Sequence, residues 1–296
     1  MRTIIALLLL AAPLAAQPHD EAHAKGGAYA DRLKDEIRAR KMYERAARAA
    51  IPARFRAALE QVQPGASDLA ATWGEFRLVD GTPFGALQLA LPAGVTADRV
   101  TFFGIVGGAT YFEDLPVQRS GGDAFVERSL LLEPGDARGT FGLARKNEIL
   151  GLARVAIEPP SEVSRLIVSG DVHVLPRAQD PLDPFAFGGT KVVPKPRAAF
   201  RRADEVWVFL EMRSATPPQL TMRVDIGDTR GAPAVADAFP LKGVPGHYGV
   251  GSTIDVSRLQ PGEHRVRVML TDAATRKTWS REATIRISDS PPAPLP

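Results

Sequence analysis

Residues 132–157 read LEPGDARGTFGLARKNEILGLARVAI, and residues 259–285 read LQPGEHRVRVMLTDAATRKTWSREATI. Both stretches open on Leu-x-Pro-Gly. Leu132 matches Leu259, Pro134 matches Pro261, Gly135 matches Gly262 and Arg138 matches Arg265, with Asp136 and Glu263 equivalent. The offset is 127 residues, becoming 128 by Ile157 and Ile285. A Pro-Gly pair fixes one φ and frees the next, so it turns the chain into a strand. The pattern after it reads as a strand, a polar hairpin and a closing strand. A weaker echo, DRVTFF at 98–103 against DEVWVF at 204–209, reads as an earlier strand of each unit. The repeat predicts two related sandwich domains, at 68–160 and 164–288.

Outward from the repeat, the rest of the chain follows the same rhythm. In the first unit the apolar runs are Glu75–Val79, Ala86–Leu91, Val100–Val106, Ala124–Leu132, Gly139–Ala144 and Leu152–Ile157. In the second they are Leu166–Val174, Val206–Met212, Leu220–Ile226, Gly249–Asp255, Gly262–Thr271 and Ser280–Ile287. Gly-, Pro- and Asp-containing turns separate them, with no helical pattern between, which points to antiparallel sandwiches rather than βαβ units. Whether 68–97 joins the first sandwich stays open at this stage. Pro159-Pro160 reads as a short stiff linker. Segments 107–123 and 177–203 read as end loops, where such folds carry their contacts.

The N-terminal part differs in kind. Arg2, the apolar run Ile4–Leu14 and the small Ala15-Ala16 have the pattern of a secretory signal (1–16), with cleavage expected near Ala16. The expected location is the periplasm or the exterior. Residues 17–27 are small and polar, a flexible mature N-terminus. From 28 to 63 the composition is that of helices, with apolar stripes at Tyr29, Leu33, Ile37 and at Ile51, Phe55, Leu59, Val62. Pro52 divides this helical segment into about 28–49 and 52–62. Between Tyr29 and Arg56 there are nine Lys or Arg against four Asp or Glu. Such a face either lies solvated over a sandwich or meets an anionic membrane. The tail 289–296 is Pro-rich and reads as disordered.

Composition narrows the function classes. The chain has no cysteine, which excludes disulfides, thiolate metal sites, a Cys nucleophile and lipid attachment at Cys. A net charge of +3 gives no argument for nucleic acid.

The stretches 184–212 (PFAFGGTKVVPKPRAAFRRADEVWVFLEM) and 259–279 (LQPGEHRVRVMLTDAATRKTW) resemble the β-sandwich region that follows the von Willebrand A domain in "VWFA-related" proteins of Acidobacteria. A comparable region occurs in some exported GWxTD-domain proteins. The resemblance covers about the second half of the chain, with an echo in 98–157. No von Willebrand A domain is visible, because the Asp-x-Ser-x-Ser motif has no match, so that family's metal site does not carry over. The resemblance implies an exported, immunoglobulin-like module of unknown ligand; taken with the repeat and the helical periodicity, the expected fold is mainly β, with two tandem immunoglobulin-like antiparallel β-sandwiches behind an N-terminal helical segment.

Chemistry is sparse. No Gly-x-Ser-x-Gly elbow surrounds Ser252, and Gly188-Gly-Thr-Lys lacks the leading glycine of a phosphate loop. No catalytic residue and no cofactor are assigned. His19 and His23 sit in the polar N-terminus. His173 reads as an edge or surface position, and His247 and His264 as turn and sheet positions. Asp180 and Asp183 lie in a Pro-fixed loop that could lend two oxygens to calcium, short of the six to eight it takes. Phe185 and Phe187 either cover a core or offer an apolar binding patch. Trp207 and Phe209, two apart on a strand, read as sandwich core. The leading expectation is a non-enzymatic exported protein that binds an envelope protein or glycan, or scaffolds assembly. Two alternatives are a secreted hydrolase with dispersed carboxylates and membrane association through 28–63.

Overall fold

A computed structural model describes residues 34–35, 37–39, 41–42, 50–63, 67–78, 80–158, 161–175, 183–187, 190–236, 238–240 and 246–289. The expected signal sequence, the segment 17–27, Pro159-Pro160, Asp180 and the tail beyond 289 lie outside these residues.

The protein is mainly β, with four sheets. The first eight strands are β1 (Ala71–Arg77), β2 (Pro83–Ala90), β3 (Arg99–Val106), β4 (Ala109–Pro116), β5 (Gln118–Ser120), β6 (Asp123–Leu131), β7 (Arg138–Arg145) and β8 (Glu148–Ala156). They form sheet I, in the order β1-β2-β6-β5, and sheet II, in the order β4-β3-β7-β8. So residues 68–97 do feed the first pair of sheets, through β1 and β2. The next strands are β9 (Ile167–Val174), β10 (Ala186–Phe187), β11 (Thr190–Pro194), β12 (Ala199–Arg201), β13 (Val206–Arg213), β14 (Leu220–Ile226), β15 (Ala234–Ala236), β16 (Ala238–Pro240), β17 (His247–Ile254), β18 (Gly262–Asp272) and β19 (Thr278–Ser288). They form sheet III, β10-β11-β9-β13-β17-β16, and sheet IV, β12-β19-β18-β14-β15.

The two pairs repeat one topology. β1, β2, β6 and β5 of sheet I take the places of β9, β13, β17 and β16 in sheet III. Likewise β4, β3, β7 and β8 correspond to β15, β14, β18 and β19. The Leu-x-Pro-Gly turns therefore launch equivalent strands, β7 and β18. Both glycines use the freedom the turn needs, at φ +95° for Gly135 and +136° for Gly262. The second echo is out of step, however. DRVTFF lies on β3 and DEVWVF on β13, whose counterpart is β2. Both are apolar strands, and strand composition alone does not distinguish sheet positions.

Each pair closes on its own core. Trp73, Leu87, Leu89, Val126 and Leu130 of sheet I meet Phe102, Tyr111, Phe141, Leu143 and Val155 of sheet II. Val168, Val208, Leu210 and Val250 of sheet III meet Met222, Val266, Val268, Leu270 and Ile285 of sheet IV. A third core lies between the pairs. Phe76, Phe84, Ala86 and Leu131 from the far face of sheet I pack on Ile167, Val192 and Phe209 from sheet III and on Phe185 just before β10, with Ile37 beside them. The alternation along β13 explains this: Val206, Val208, Leu210 and Met212 enter one core, while Phe209 enters the other. The expectation that Trp207 and Phe209 fill the sandwich core is thereby corrected. Phe209 faces sheet I, and Trp207 is half-buried. A sheet buried on both faces carries large side chains on both.

The helix α1 (Ala53–Gln61) covers the outside of sheet II. Its stripe Phe55 and Leu59 is buried, and the Phe55 ring lies 4.7 Å from that of Phe103 and 5.6 Å from that of Phe112. Described residues between 34 and 42 are helical, and Lys41 bonds Asp80 and Thr82 at the β1–β2 turn. Among the described residues no helix is long and apolar enough to cross a membrane. Strands run through the segments expected as end loops: 107–123 holds β4 and β5, and the described part of 177–203 holds β10, β11 and β12. Glu113, Asp114 and Pro116 hid β4, because charge and proline are typical of an edge strand.

Candidate functional site: a cleft bordered by strand edges

A cleft of about 700 Å³ lies where the two sheet pairs meet. All four sheets border it. Ala71–Glu75 come from β1, Arg154–Ala156 from β8, the approach to β9 supplies 163–168, and β19 supplies Ser280–Thr284. Beside β9, the wall includes a single helical turn at Pro196–Ala198. There Arg197 (φ +60°) and Ala198 (φ +45°) adopt left-handed conformations that non-glycine residues seldom take.

A buried carboxylate anchors the wall. The Trp73 indole donates to Glu75 Oε1 at 2.7 Å, and the Glu158 N–H donates to the same oxygen at 3.1 Å. Arg165 Nε lies 2.7 Å from Glu75 Oε2, and Arg165 Nη2 reaches Glu158 at 3.1 Å and Ala156 O at 3.0 Å. Burial pushes the Glu75 carboxyl above its ordinary value of 4.5, with Arg165 and the two N–H donors pulling it back. Both oxygens are engaged, so Glu75 holds the wall and aims no free oxygen at a substrate. Trp73 lies over Gly85, where an added Cβ would stand 1.8 Å from the indole.

The segment 161–164 beside the cleft is pinned by sheets III and IV. Arg281 Nε donates to Ser164 O at 3.0 Å, and its Nη2 donates to Val163 O at 2.7 Å. Lys277 and Trp279 bond Glu162 at 2.8 and 3.1 Å. Ser164 N–H donates to Glu211 O at 2.8 Å, and Arg213 N–H donates to Glu162 O at 2.8 Å.

A second buried acid crosses the junction elsewhere. Glu127 of β6 is 2.7 Å from Lys191 Nζ of β11, and Gln88 of β2 donates to Pro194 O at 3.0 Å. Burial raises the Glu127 carboxyl, offset by Lys191 and Gln88. Asp183, the sequence candidate for calcium, is 3.0 Å from the same ammonium. It is an ion-pair partner here, and Asp180 is not described. No group of three or more metal-ligating side chains occurs among the described residues. Phe185 is 1% exposed in the third core and leaves no surface for a ligand; the side chain of Phe187 is not described.

The histidines divide as their strands dictate. His247 pairs with buried Glu211. His264 Nε2 is 2.7 Å from Gln260 O at the repeated turn. His173 is exposed on β9, an interior strand of its sheet rather than an edge. Its Nε2 is 3.0 Å from Asp171, which also accepts from Ser120 at 3.1 Å. The acid stands between Ser and His, whereas nucleophile activation needs the His between them.

Sequence reading missed this cleft because its walls come from residues as far apart as Ala71 and Thr284. Trp73 and Glu75, two apart on one strand face, were its only local trace. No protein-family model matches the chain, and comparison with curated proteins finds no match.

Proposed function

We propose that the protein is an exported, non-enzymatic binding module of two immunoglobulin-like sandwiches, and that its partner is an envelope protein seated at the junction cleft. The observation that carries this reading is the third core. Two packed domains move relative to one another unless their interface is large and hydrophobic. Here the interface is an apolar cluster flanked by buried Glu75–Arg165 and Glu127–Lys191 pairs. Such a junction presents a fixed surface, which lowers the ordering cost of binding.

The strand order supports the immunoglobulin-like part of the reading. An immunoglobulin sandwich places strands ABED opposite CFG. Lettered in sequence, β1-β2-β6-β5 is A-B-E-D and β4-β3-β7-β8 is C′-C-F-G, and the second pair repeats it. The resemblance to the "VWFA-related" sandwich region points the same way. Export rests on the N-terminal pattern at 1–16.

The test is photo-crosslinking in the native envelope. A benzophenone residue at Thr72 or Thr284, both on the cleft wall, is expected to capture a defined protein. The same probe at Asp228, on an exposed turn of sheet IV, is expected to capture none. Equal capture at the two places, or none at the cleft, would overturn the proposal.

A further inference from the structure

We infer that the cleft takes an extended acidic peptide segment, which adds as a strand to the open edge of β19. The inference rests on the binding reading above and names the chemistry of the partner.

The first observation is an unfilled edge. Asp272 N–H donates to Lys277 O at 3.0 Å, which sets the phase of the β18–β19 ladder. Odd-numbered residues of β19 therefore bond β18, and even-numbered ones turn their N–H and C=O outward. β12 already pairs in parallel with this outer edge, from Ala199 against Arg286 to Arg201 against Ser288. The edge thus accepts a strand, but β12 stops there. Among the described residues, nothing bonds the outward backbone groups of Glu282 and Thr284, which face the cleft. An exposed edge of this kind is a template for β-augmentation.

The equivalent edge of the first pair is not open. Asp68 and Leu69 N–H donate to Leu152 O at 2.9 and 3.0 Å. Arg154 N–H donates to Ser67 Oγ at 3.2 Å, and Ala156 O accepts from Arg165. The contrast makes β19 the place where a guest strand enters.

The second observation is charge. Glu75 and Glu158 are both held by Arg165, and Glu282 is held by Arg267 and Arg265. Lys195 is 3.0 Å from Asp123. Arg154 and Arg281 have no carboxylate partner among the described residues, only carbonyl and hydroxyl oxygens. The cleft therefore offers two guanidinium groups that no carboxylate holds, which a guest carboxylate would complement. A guest rising 3.3 Å per residue alternates its side chains, so acids at every second position reach one wall.

The test uses the full chain and two synthetic seven-residue peptides, one alternating valine with glutamate and one alternating valine with lysine. Binding is read by backbone amide shifts and by titration. The valine–glutamate peptide is expected to bind, to move the amides of Glu282 and Thr284 most, and to protect them from exchange. Thr284→Pro removes one outward N–H without touching the β18 ladder, and is expected to abolish binding with the melting temperature kept. Arg154→Glu is expected to weaken binding at least tenfold. Equal binding of both peptides, or shifts centred away from β19, would overturn the inference on the wild-type chain alone. Capture of an envelope protein at the cleft that survives Thr284→Pro would overturn strand addition while leaving the binding reading intact. Peptide binding at β19 without any envelope partner would do the reverse.

Discussion

The two sheet pairs follow one strand order but treat their last strand differently. In the first pair the chain before β1 folds back on β8 and fills its outer edge. In the second, the chain before β9 gives β19 no backbone bond among the described residues; an insertion between β9 and β13 instead forms β10, β11 and β12, and only the three residues of β12 pair with β19. The insertion has two effects. It widens sheet III so that β9, β11 and β13 can bury a face against sheet I. It also leaves most of β19 uncovered beside that junction. One topology thus gives a closed unit and an open one, and the open edge lies where the two are locked together.

The largest expected effect comes from breaking that lock. Phe209→Ala should cost about 3–5 kcal/mol by emptying the third core. Phe76→Ala added to it should split denaturant unfolding into two transitions, one per sheet pair. An equal cost with a single transition would mean that the pairs are not joined through these rings.

Removing one partner of a buried ion pair comes next. Lys191→Ala strands the Glu127 carboxylate and should cost about 3 kcal/mol, with partial recovery on adding Glu127→Gln. The pH dependence has a fixed sign. Burial raises the Glu127 and Glu75 carboxyls above 4.5, so the folded chain binds more protons there than the unfolded chain. Their contribution to stability therefore falls as pH rises from 4.5 through the raised values. The stability of Glu127→Gln relative to the parent should accordingly rise with pH over that window. A flat difference would mean that the carboxylate is not desolvated.

A smaller effect belongs to the open unit alone. Asp272 closes the β18–β19 hairpin by accepting from the Thr275 hydroxyl at 2.6 Å and from three backbone N–H groups. The Thr275 bond, followed by those N–H groups, lowers its carboxyl below 3.8, despite some burial. This stability is present above 3.8 and is lost as pH falls through the lowered value. Asp272→Ala should cost about 1 kcal/mol at neutral pH. The smallest effect should be Val235→Thr on β15, whose valine is 87% exposed: within about 0.5 kcal/mol in chemical denaturation.

Much of the strand content was legible in the sequence, and less of its arrangement. The Leu-x-Pro-Gly repeat marks the equivalent hairpins, because a turn that needs positive φ leaves a glycine behind. β4 and β12 were not legible, since charged edge strands and three-residue strands lack an apolar run. The third core was hidden for a different reason. Phe185 and Phe209 look the same in sequence whether they face a partner sheet of their own unit or of its neighbour. The cleft depends on that packing, so the local trace left by Trp73 and Glu75 does not by itself mark a site.

The most direct test is the distance between the two sheet pairs in solution. The chain has no cysteine, so Glu148→Cys and Ala274→Cys, at the β7–β8 and β18–β19 turns, would carry the only two spin labels. A junction locked by the third core predicts one narrow distance distribution, which broadens in Phe209→Ala. A broad or multiple distribution in the otherwise native chain would contradict a fixed junction, and the cleft with it.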